Sequence, residues 1–280
     1  VYENVRMNNI YAYQDVSSDQ LYALLQLDQV LLNDSLTFQE IQFTGIAYEG
    51  LMDSELIFHD TKDSRSDLEW YTYLQDKHGF EIEMHPSYFT INDHKWILNQ
   101  EAYMRYSDQC FTIEKFKLER EKQYIAFNGM LSDYPSDHLN VDVMNLDLAD
   151  LSLFMGQETS LSGEANIVGY ISNPFENFMF SGESIIEGLY VNETEVGDVS
   201  FSADYLAESD KINMFGDIFY KRERTFQFEG DYIVKKKEDD KLDFEMNFKN
   251  TDISVVNEFL DPEVVSDLQG KLNGTLIKYI

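Results

Sequence analysis

The chain has 280 residues and a formal net charge of −31, from 52 acidic and 21 basic side chains. This charge argues against a nucleic-acid partner and against docking of the outer surface on anionic lipid, because phosphate groups would be repelled. The single cysteine, Cys110, excludes a disulfide within the chain. Aromatic residues make up 14% of the chain and only four prolines occur, a composition typical of β-strands.

The N-terminal part of the chain, residues 1–109, is predicted to be a β-rich groove segment with one helical exception. Ser17 or Ser18 is a candidate N-cap, and Leu21 and Leu24 follow at helical spacing. A short helix is therefore predicted near residues 18–32. From Phe38 onward the alternation of apolar and polar residues predicts strands.

Two repeats organise the predicted strands. The pattern apolar, any, apolar, any, glycine recurs along the chain and ends at Gly45, Gly129, Gly182, Gly216 and Gly230. A glycine inside a strand usually marks a bend, a bulge or a surface that must stay flat. A longer repeat, at an offset of roughly one hundred residues, relates the segment that leads to Asp147-Leu148 to the segment that leads to Asp252-Ile253, and Gly163 to Gly270.

The C-terminal segment, residues 225–275, shows the repeating unit in full. Two alternating strands flank the charged sequence KKKEDDK, which is typical of a hairpin connection. Asp261 before Pro262 then predicts the start of a short helix that ends near Leu268. The predicted unit is strand, turn, strand, helical cap and strand.

The predicted fold class is all-β. About eighteen strands can be drawn, and a single sheet of that size, on the order of 85 Å across, must curl, split or close. Alternation makes one side of this sheet continuously apolar and leaves acidic residues such as Asp142, Glu229, Asp231, Asp243 and Glu245 on the other. The apolar side is predicted to be lined by Phe127, Val141, Phe178, Phe180, Phe201, Met214, Ile218, Phe226, Phe228, Leu242, Phe244, Met246 and Phe248. These residues form either the core of a β-sandwich or the walls of a trough that holds a lipid chain or another apolar segment.

The sequence does not predict an enzyme, a metal site or a cofactor. The histidines are scattered and lack the HExxH or His/Cys spacing of a metal centre. The acidic clusters lack the order of a calcium loop, and no GxSxG, P-loop or GxGxxG sequence occurs.

Several segments carry a resemblance to a known family. They are FTIE at 111–114, IAFNG at 125–129, HLNVDVMNLDL at 138–148, and residues 161–165, 173–175, 189–192, 196–199 and 268–275. Their order and spacing resemble the C-terminal region of the translocation and assembly module subunit TamB family, especially its long versions in Bacteroidota. The resemblance covers about Cys110 to Tyr279, whereas residues 1–109 fit only in strand pattern.

The resemblance implies a specific fold and place. Residues 110–280 are expected to be part of an elongated β-taco, a U-bent sheet with an apolar interior groove and a few short helices, as in AsmA-like, bridge-type lipid transporters. Such proteins are anchored in the bacterial inner membrane, cross the periplasm and engage an outer-membrane barrel protein of the assembly-machinery type. The chain begins with Val1 and ends within an apparent strand, so the anchor is expected outside this sequence.

Three functions are left open. The first is conduction of phospholipid between the inner and outer membranes along the groove, as part of envelope biogenesis. The second is a scaffold or chaperone for the insertion or secretion of outer-membrane β-barrel or autotransporter proteins, in which exposed strand edges pair with nascent strands. The third is a self-contained β-sandwich for adhesion or carbohydrate binding.

Overall fold

The described residues form one antiparallel sheet of 19 strands. The structure is a computed structural model that describes residues 5–32, 36–60, 64–75, 79–91, 93–134, 136–151, 160–174, 178–206, 210–233, 241–254 and 268–279. The strands are β1 Val5–Val16, β2 Leu21–Leu32, β3 Leu36–Tyr48, β4 Leu51–His59, β5 Arg65–Gln75, β6 Gly79–Met84, β7 Ser87–Ile91, β8 His94–Leu98, β9 Tyr103–Ser107, β10 Cys110–Arg120, β11 Gln123–Leu131, β12 His138–Asp147, β13 Leu161–Ser172, β14 Met179–Val191, β15 Thr194–Leu206, β16 Lys211–Tyr220, β17 Glu223–Ile233, β18 Lys241–Asp252 and β19 Lys271–Tyr279. Short helical turns occur at 149–151 and 253–254.

Nearly every strand pairs with its neighbours in the chain. The exception lies between β5 and β10, where β6 pairs with β9 at one level and β7 pairs with β8 at the other. The segments β6–β7 and β8–β9 are therefore two broken strands, interrupted at His85-Pro86 and at residues 99–102. Proline explains the first interruption, because it has no N–H to give to a ladder.

The sheet bends into a U near its middle. Trp96 on β8 belongs to the same buried cluster as Val143 and Leu146 on β12 and Ala165 on β13, although β10 and β11 lie between β8 and β12. In a flat sheet three strand spacings of about 4.8 Å would separate β8 from β12. Side-chain contact across that interval requires a curled sheet, and it confirms the all-β, U-bent fold class.

The helix predicted near residues 18–32 is wrong, because Leu21–Leu32 is strand β2. This strand pairs along its whole length with β1 on one side and β3 on the other. The apolar spacing of the segment fits a period of 2 as well as a helical period, and two complete ladders outweigh a weak helix propensity. Ser17 accordingly closes the turn between β1 and β2, where its N–H donates to the Gln20 carbonyl at 2.9 Å.

The C-terminal unit has the predicted strands. β17 and β18 pair in antiparallel register from Phe226 opposite Phe248 to Ile233 opposite Lys241, and β19 adds to β18. The predicted hairpin connection, apart from its last residue, and the predicted helix as far as residue 267 lie outside the described residues.

The hundred-residue repeat is present as a repeated backbone motif. Asn145 and Asn250 both have positive φ, 52° and 53°, and each N–H donates to a neighbouring asparagine Oδ1, at 2.9 Å for Asn166 and 2.8 Å for Asn273. Each asparagine lies where the ladder shifts register, which makes it a β-bulge. Leu148 and Ile253 follow with equivalent N–H bonds to the carbonyls of Gly163 and Gly270.

Residues 109 and 110, where the sequence suggested a division, lie inside the sheet. Asp108 and Gln109 form the turn between β9 and β10, both with positive φ, as in a two-residue hairpin. The β9–β10 ladder then continues the sheet from Cys110 to Glu114.

Candidate functional site: an apolar face along the sheet

The strand registers bring the predicted lining residues onto one face. Directly opposed residues of antiparallel strands point to the same side, as do residues two apart on one strand. One row contains Phe116, Phe127, Val141, Gly169, Gly182, Ala203, Met214, Gly230 and Phe244. The adjacent rows contain Phe180 and Tyr205; Phe201, Gly216, Phe228 and Met246; and Ile218, Phe226 and Phe248. Leu242 has its register position opposite Tyr232.

Aromatic rings make a continuous surface over β14 to β18. The Phe226 and Phe248 ring centroids lie 5.0 Å apart, and Phe228 lies 6.0 Å from Phe201 and 6.2 Å from Phe244. Phe178 precedes β14, and its ring lies 5.9 Å from Phe180 while the side chain stays 42% exposed. The rings therefore pack against one another along the sheet, and part of their surface stays accessible to solvent.

The recurrent glycines explain how large rings fit on neighbouring strands. A Cβ on Gly216 would overlap the Phe228 ring, and a Cβ on Gly230 would overlap the Phe244 ring. Each ring lies over the glycine that opposes it on the preceding strand. Gly182 instead faces Gly169, and Gly129, with φ of 137°, sits too close to the His138 carbonyl for any side chain. A Cβ on Gly230 would also overlap the Asp243 carbonyl oxygen. The glycine pattern thus marks flat positions on the apolar face and close backbone approaches at Gly129 and Gly230.

The same face continues through β2 to β6, which the predicted lining did not include. Leu25, Phe43, Leu56 and Leu68 form one row, and Ser54, Trp70 and Met84 form the next. Phe43 and Trp70 have ring centroids 6.1 Å apart. The Ile41-Phe43-Gly45 copy of the glycine pattern is the sequence signal that could have extended the prediction into this half.

The side chains of this face are most buried in the middle of the sheet and more exposed towards both ends. Among the described residues, the buried apolar side chains lie between β6 and β15: Met84, Trp96, Leu98, Ala102, Leu139, Val143, Leu146, Leu148, Ala165, Val191, Val196 and Ala203. On β16 to β18 the predicted lining residues with described side chains are half-buried.

The total accessible surface is 17766 Å². A compact monomer of 32.7 kDa would expose only about 12,400 Å². The sheet therefore leaves a large area uncovered.

A charged cluster joins strands in the buried middle part of the sheet. Asp150 accepts from Arg120 Nη1 at 2.5 Å, and His94 Nδ1 lies 2.8 Å from Asp150 Oδ1 and 2.7 Å from Arg120 Nη1. The guanidinium also lies over the Trp96 ring, 5.8 Å from its centroid. Since only 11% of the Asp150 side chain and 15% of the Arg120 side chain are exposed, this contact ties β8 to β10 and to the turn after β12.

The opposite face is acidic, as predicted for Asp142, Glu229, Asp231, Asp243 and Glu245. Glu229 lies directly opposite Glu245 and Asp231 directly opposite Asp243. Lys211 Nζ donates to Asp231 Oδ2 at 2.8 Å, and this hydrogen bond raises the pKa of the Lys211 ammonium above its usual range. On β17 and β18 the two faces of the sheet therefore differ sharply in polarity.

One trio of carboxylates on the described residues is compact enough to hold a cation. Ligand atoms of Glu55, Asp67 and Glu69 lie within 4.8 Å of one another. Asp67 already accepts from Arg65 Nη2 at 2.7 Å, so part of this negative charge is neutralised within the protein.

A cavity of about 390 Å³ lies at the C-terminal end of the apolar face. Its apolar wall includes Ile218, Phe226 and Phe248, which are opposed across β16, β17 and β18. Its polar rim includes Lys271, whose Nζ donates to Asp252 Oδ2 at 3.2 Å. The cavity had no signal in the sequence, because its lining joins residues from five strands, β15 to β19.

Comparison with family models, with curated proteins and with solved structures found no match. In the described part of the chain, no helix combines the length and the apolarity needed to cross a bilayer.

Proposed function

We propose that the apolar face is a groove that conducts phospholipid acyl chains between the inner and outer membranes of a bacterial envelope. The observation that carries the proposal is the excess of exposed surface over that of a compact protein, combined with apolar rows that continue from strand to strand. A large uncovered apolar surface is normally functional. One continuous sheet also favours a groove over the two facing sheets of an adhesion or carbohydrate-binding sandwich.

The physical advantage of such a groove is desolvation without a fixed binding site. An acyl chain that moves along apolar rows avoids roughly 0.8 kcal/mol of exposure to water per CH₂ group. The rows from Phe127 to Phe244 present similar surfaces on successive strands, so a chain can shift between them at little cost. Transport of this kind needs no catalytic residue and no cofactor.

The proposed location is the one that the resemblance to the TamB family implies, the periplasm, with an anchor to the inner membrane outside this chain. The acidic outer face, with Glu229 and Asp231, is compatible with an aqueous compartment and disfavours adhesion to anionic headgroups. An outer-membrane barrel protein is the proposed partner at the other end.

Lipid retention tests the proposal. Protein purified from an envelope fraction is expected to carry phospholipid in native mass spectrometry with lipid extraction, and Phe228→Glu is expected to lose it. A carboxylate among apolar side chains is costly and interrupts the dry path. Phe215→Glu is the matched control, because it makes the same chemical change on the opposite face, beside Glu229.

Circular dichroism must first show that both variants are folded. Lipid-free wild-type protein, or equal lipid in the two folded variants, would overturn the groove assignment.

A specific observation also favours the scaffold function. Among the described residues β1 pairs only with β2, and its whole length is exposed, including Met7 at 55% and Ile10 at 61%. A long apolar edge strand is a template for another β-strand. Under this function Ile10→Lys would abolish capture of an outer-membrane β-strand peptide, whereas Phe228→Glu would leave capture unchanged. The reverse pattern would exclude it.

A further inference from the structure

We propose that the cavity at the C-terminal end of the apolar face selects zwitterionic phospholipid headgroups, with an acyl chain against Phe226 and Phe248 and the lipid phosphate beside Lys271. This inference rests on the proposed lipid function and adds to it a site of headgroup discrimination. Phosphodiester lipids with an ammonium group are the ligand class, and anionic lipids without one are disfavoured.

The apolar wall suits a chain segment. Ile218, Phe226 and Phe248 form one directly opposed row, and Val196 contributes a buried side chain to the same lining. The volume of about 390 Å³ lies within the usual range for small-ligand pockets, near its lower end. The cavity therefore holds part of one lipid, while the rest of its chain extends along the rows of the groove.

The rim carries both signs of charge, with an excess of negative charge. Lys271 supplies the ammonium, and Asp252 and Glu195 supply carboxylates in the same lining. A lipid phosphate gains a charge-assisted hydrogen bond from Lys271, and a lipid ammonium is attracted to Glu195. A headgroup with only negative charge gains the first contact and is repelled at the second.

Asp252 holds Lys271 in place at the rim. The Asp252 Oδ1 atom accepts from both the N–H and the Oγ–H of Ser254, at 3.1 and 2.7 Å, while Oδ2 accepts from Lys271. These bonds lower the pKa of the Asp252 carboxyl, so that it stays ionised at neutral pH. The ammonium is thus positioned before a lipid arrives, which reduces the entropy lost on binding.

Titration calorimetry with monomeric short-chain lipids tests the headgroup preference directly. Wild-type protein is expected to bind dihexanoyl phosphatidylcholine about tenfold more tightly than dihexanoyl phosphatidylglycerol, and Lys271→Glu is expected to lose about tenfold in affinity for the former. Glu195→Gln is expected to improve phosphatidylglycerol binding about threefold. Lys249→Glu, an equal charge change at an exposed position outside the lining, is the control and should leave both affinities within about twofold.

Retention of long-chain lipid, measured in parallel, separates this inference from the proposed function. If the wild type retains long-chain lipid but shows no headgroup preference, or if Lys249→Glu acts like Lys271→Glu, the headgroup site is overturned and the groove stands. If the short-chain preference is present and depends on Lys271 while long-chain lipid is not retained, the groove is overturned and the site stands. Absence of both overturns both.

Discussion

The ring of Phe228 lies over Gly216, the residue directly opposite it on the neighbouring strand. The glycine has no side chain above the sheet at that point, so the ring lies flat and reaches Phe201 on the next strand, 6.0 Å away between centroids. Rings on β15 and β17 thereby meet across the glycine of β16 and share one apolar surface. Two residues of opposite size, rather than two of equal size, make this part of the face.

Gly216→Ala is expected to destabilise the protein by about 1–3 kcal/mol, because the new methyl group displaces the Phe228 ring. Gly182→Ala is the matched control, since its Cβ would come no closer than 3.5 Å to the Val168 carbonyl. That control is expected to be neutral or slightly stabilising through the unfolded chain. Urea unfolding measures both changes.

In a double-mutant cycle, Gly216→Ala should destabilise the Phe228→Leu variant less than it destabilises the wild type, because the ring that the methyl group displaces is absent. Additive free energies would contradict the ring-over-glycine contact.

Asn166→Ala is expected to cost about 1 kcal/mol, because the Asn145 N–H at the bulge loses its acceptor. Asn166→Asp keeps a side-chain oxygen at the same place and should recover most of the stability. Chemical denaturation of both variants provides the measurement. Equal losses in the two variants would show that the acceptor is not what stabilises the bulge.

Asp150→Ala is expected to destabilise by about 3 kcal/mol, since it leaves the largely buried Arg120 guanidinium without its carboxylate. Hydrogen exchange at β8 should accelerate selectively, because His94 and Arg120 hold that strand through Asp150. Adding Arg120→Met to Asp150→Ala should recover part of the loss. If the double variant is less stable than the sum of the single changes, the ion pair is not the source of the effect.

Glu245→Lys is expected to raise stability by about 0.2–1 kcal/mol, because it replaces a carboxylate directly opposite Glu229 with an ammonium. The gain should shrink with added salt, which screens exposed charges. Thermal unfolding at low and high ionic strength measures it. Glu183→Lys is the control for net charge, since Glu183 opposes the uncharged residues Val168 and Ser202. An equal gain in stability from Glu183→Lys would show that the lower net charge, and not the Glu229–Glu245 pair, causes the effect.

Acid should loosen the rim of the C-terminal cavity through Asp252. Hydrogen bonds from Ser254 and the nearby Lys271 lower the Asp252 pKa below its ordinary value of 3.8 in the folded protein. The contribution to stability is therefore complete above pH 3.8 and is lost as the pH falls through the lower folded pKa.

The Ser254 amide resonance, followed by NMR, should move only in that acid range. Asp252→Asn should abolish the shift. A midpoint above 3.8 in the wild type would contradict the hydrogen-bonded arrangement.

Strand periodicity was sufficient to predict which residues share a face from Phe127 to Phe248. Because side chains alternate with a period of 2, the sequence determines which residues of one strand lie on the same face. Strands that are consecutive in the chain then pair with one another, so their apolar faces lie on the same side of the sheet. The same reasoning failed at Leu21–Leu32, where leucines at both spacings left the period ambiguous until the partners on each side decided it. About eighteen strands were predicted, and the described residues contain 19.

Other features were not predictable because they depend on residues far apart in the sequence. The Arg120–Asp150–His94 cluster includes Asp150, which follows β12 and reaches β8 and β10 only after the sheet has curved. Lys271 and Asp252 come together only when β19 pairs with β18 in register. The asparagine bulges had a sequence signal in the repeat around Asp147 and Asp252. Their backbone role required the positive φ of Asn145 and Asn250 to be seen.

The matching bulges at Asn145 and Asn250 allow the length of the sheet and its curvature to change independently. Since most strands pair only with chain neighbours, adding or deleting a whole cassette would alter how far the sheet reaches. The bulge at the same point of each cassette would keep its curvature the same. The number of cassettes then determines the length of the sheet, and the bulge motif determines its curvature, so natural selection can adjust either property alone.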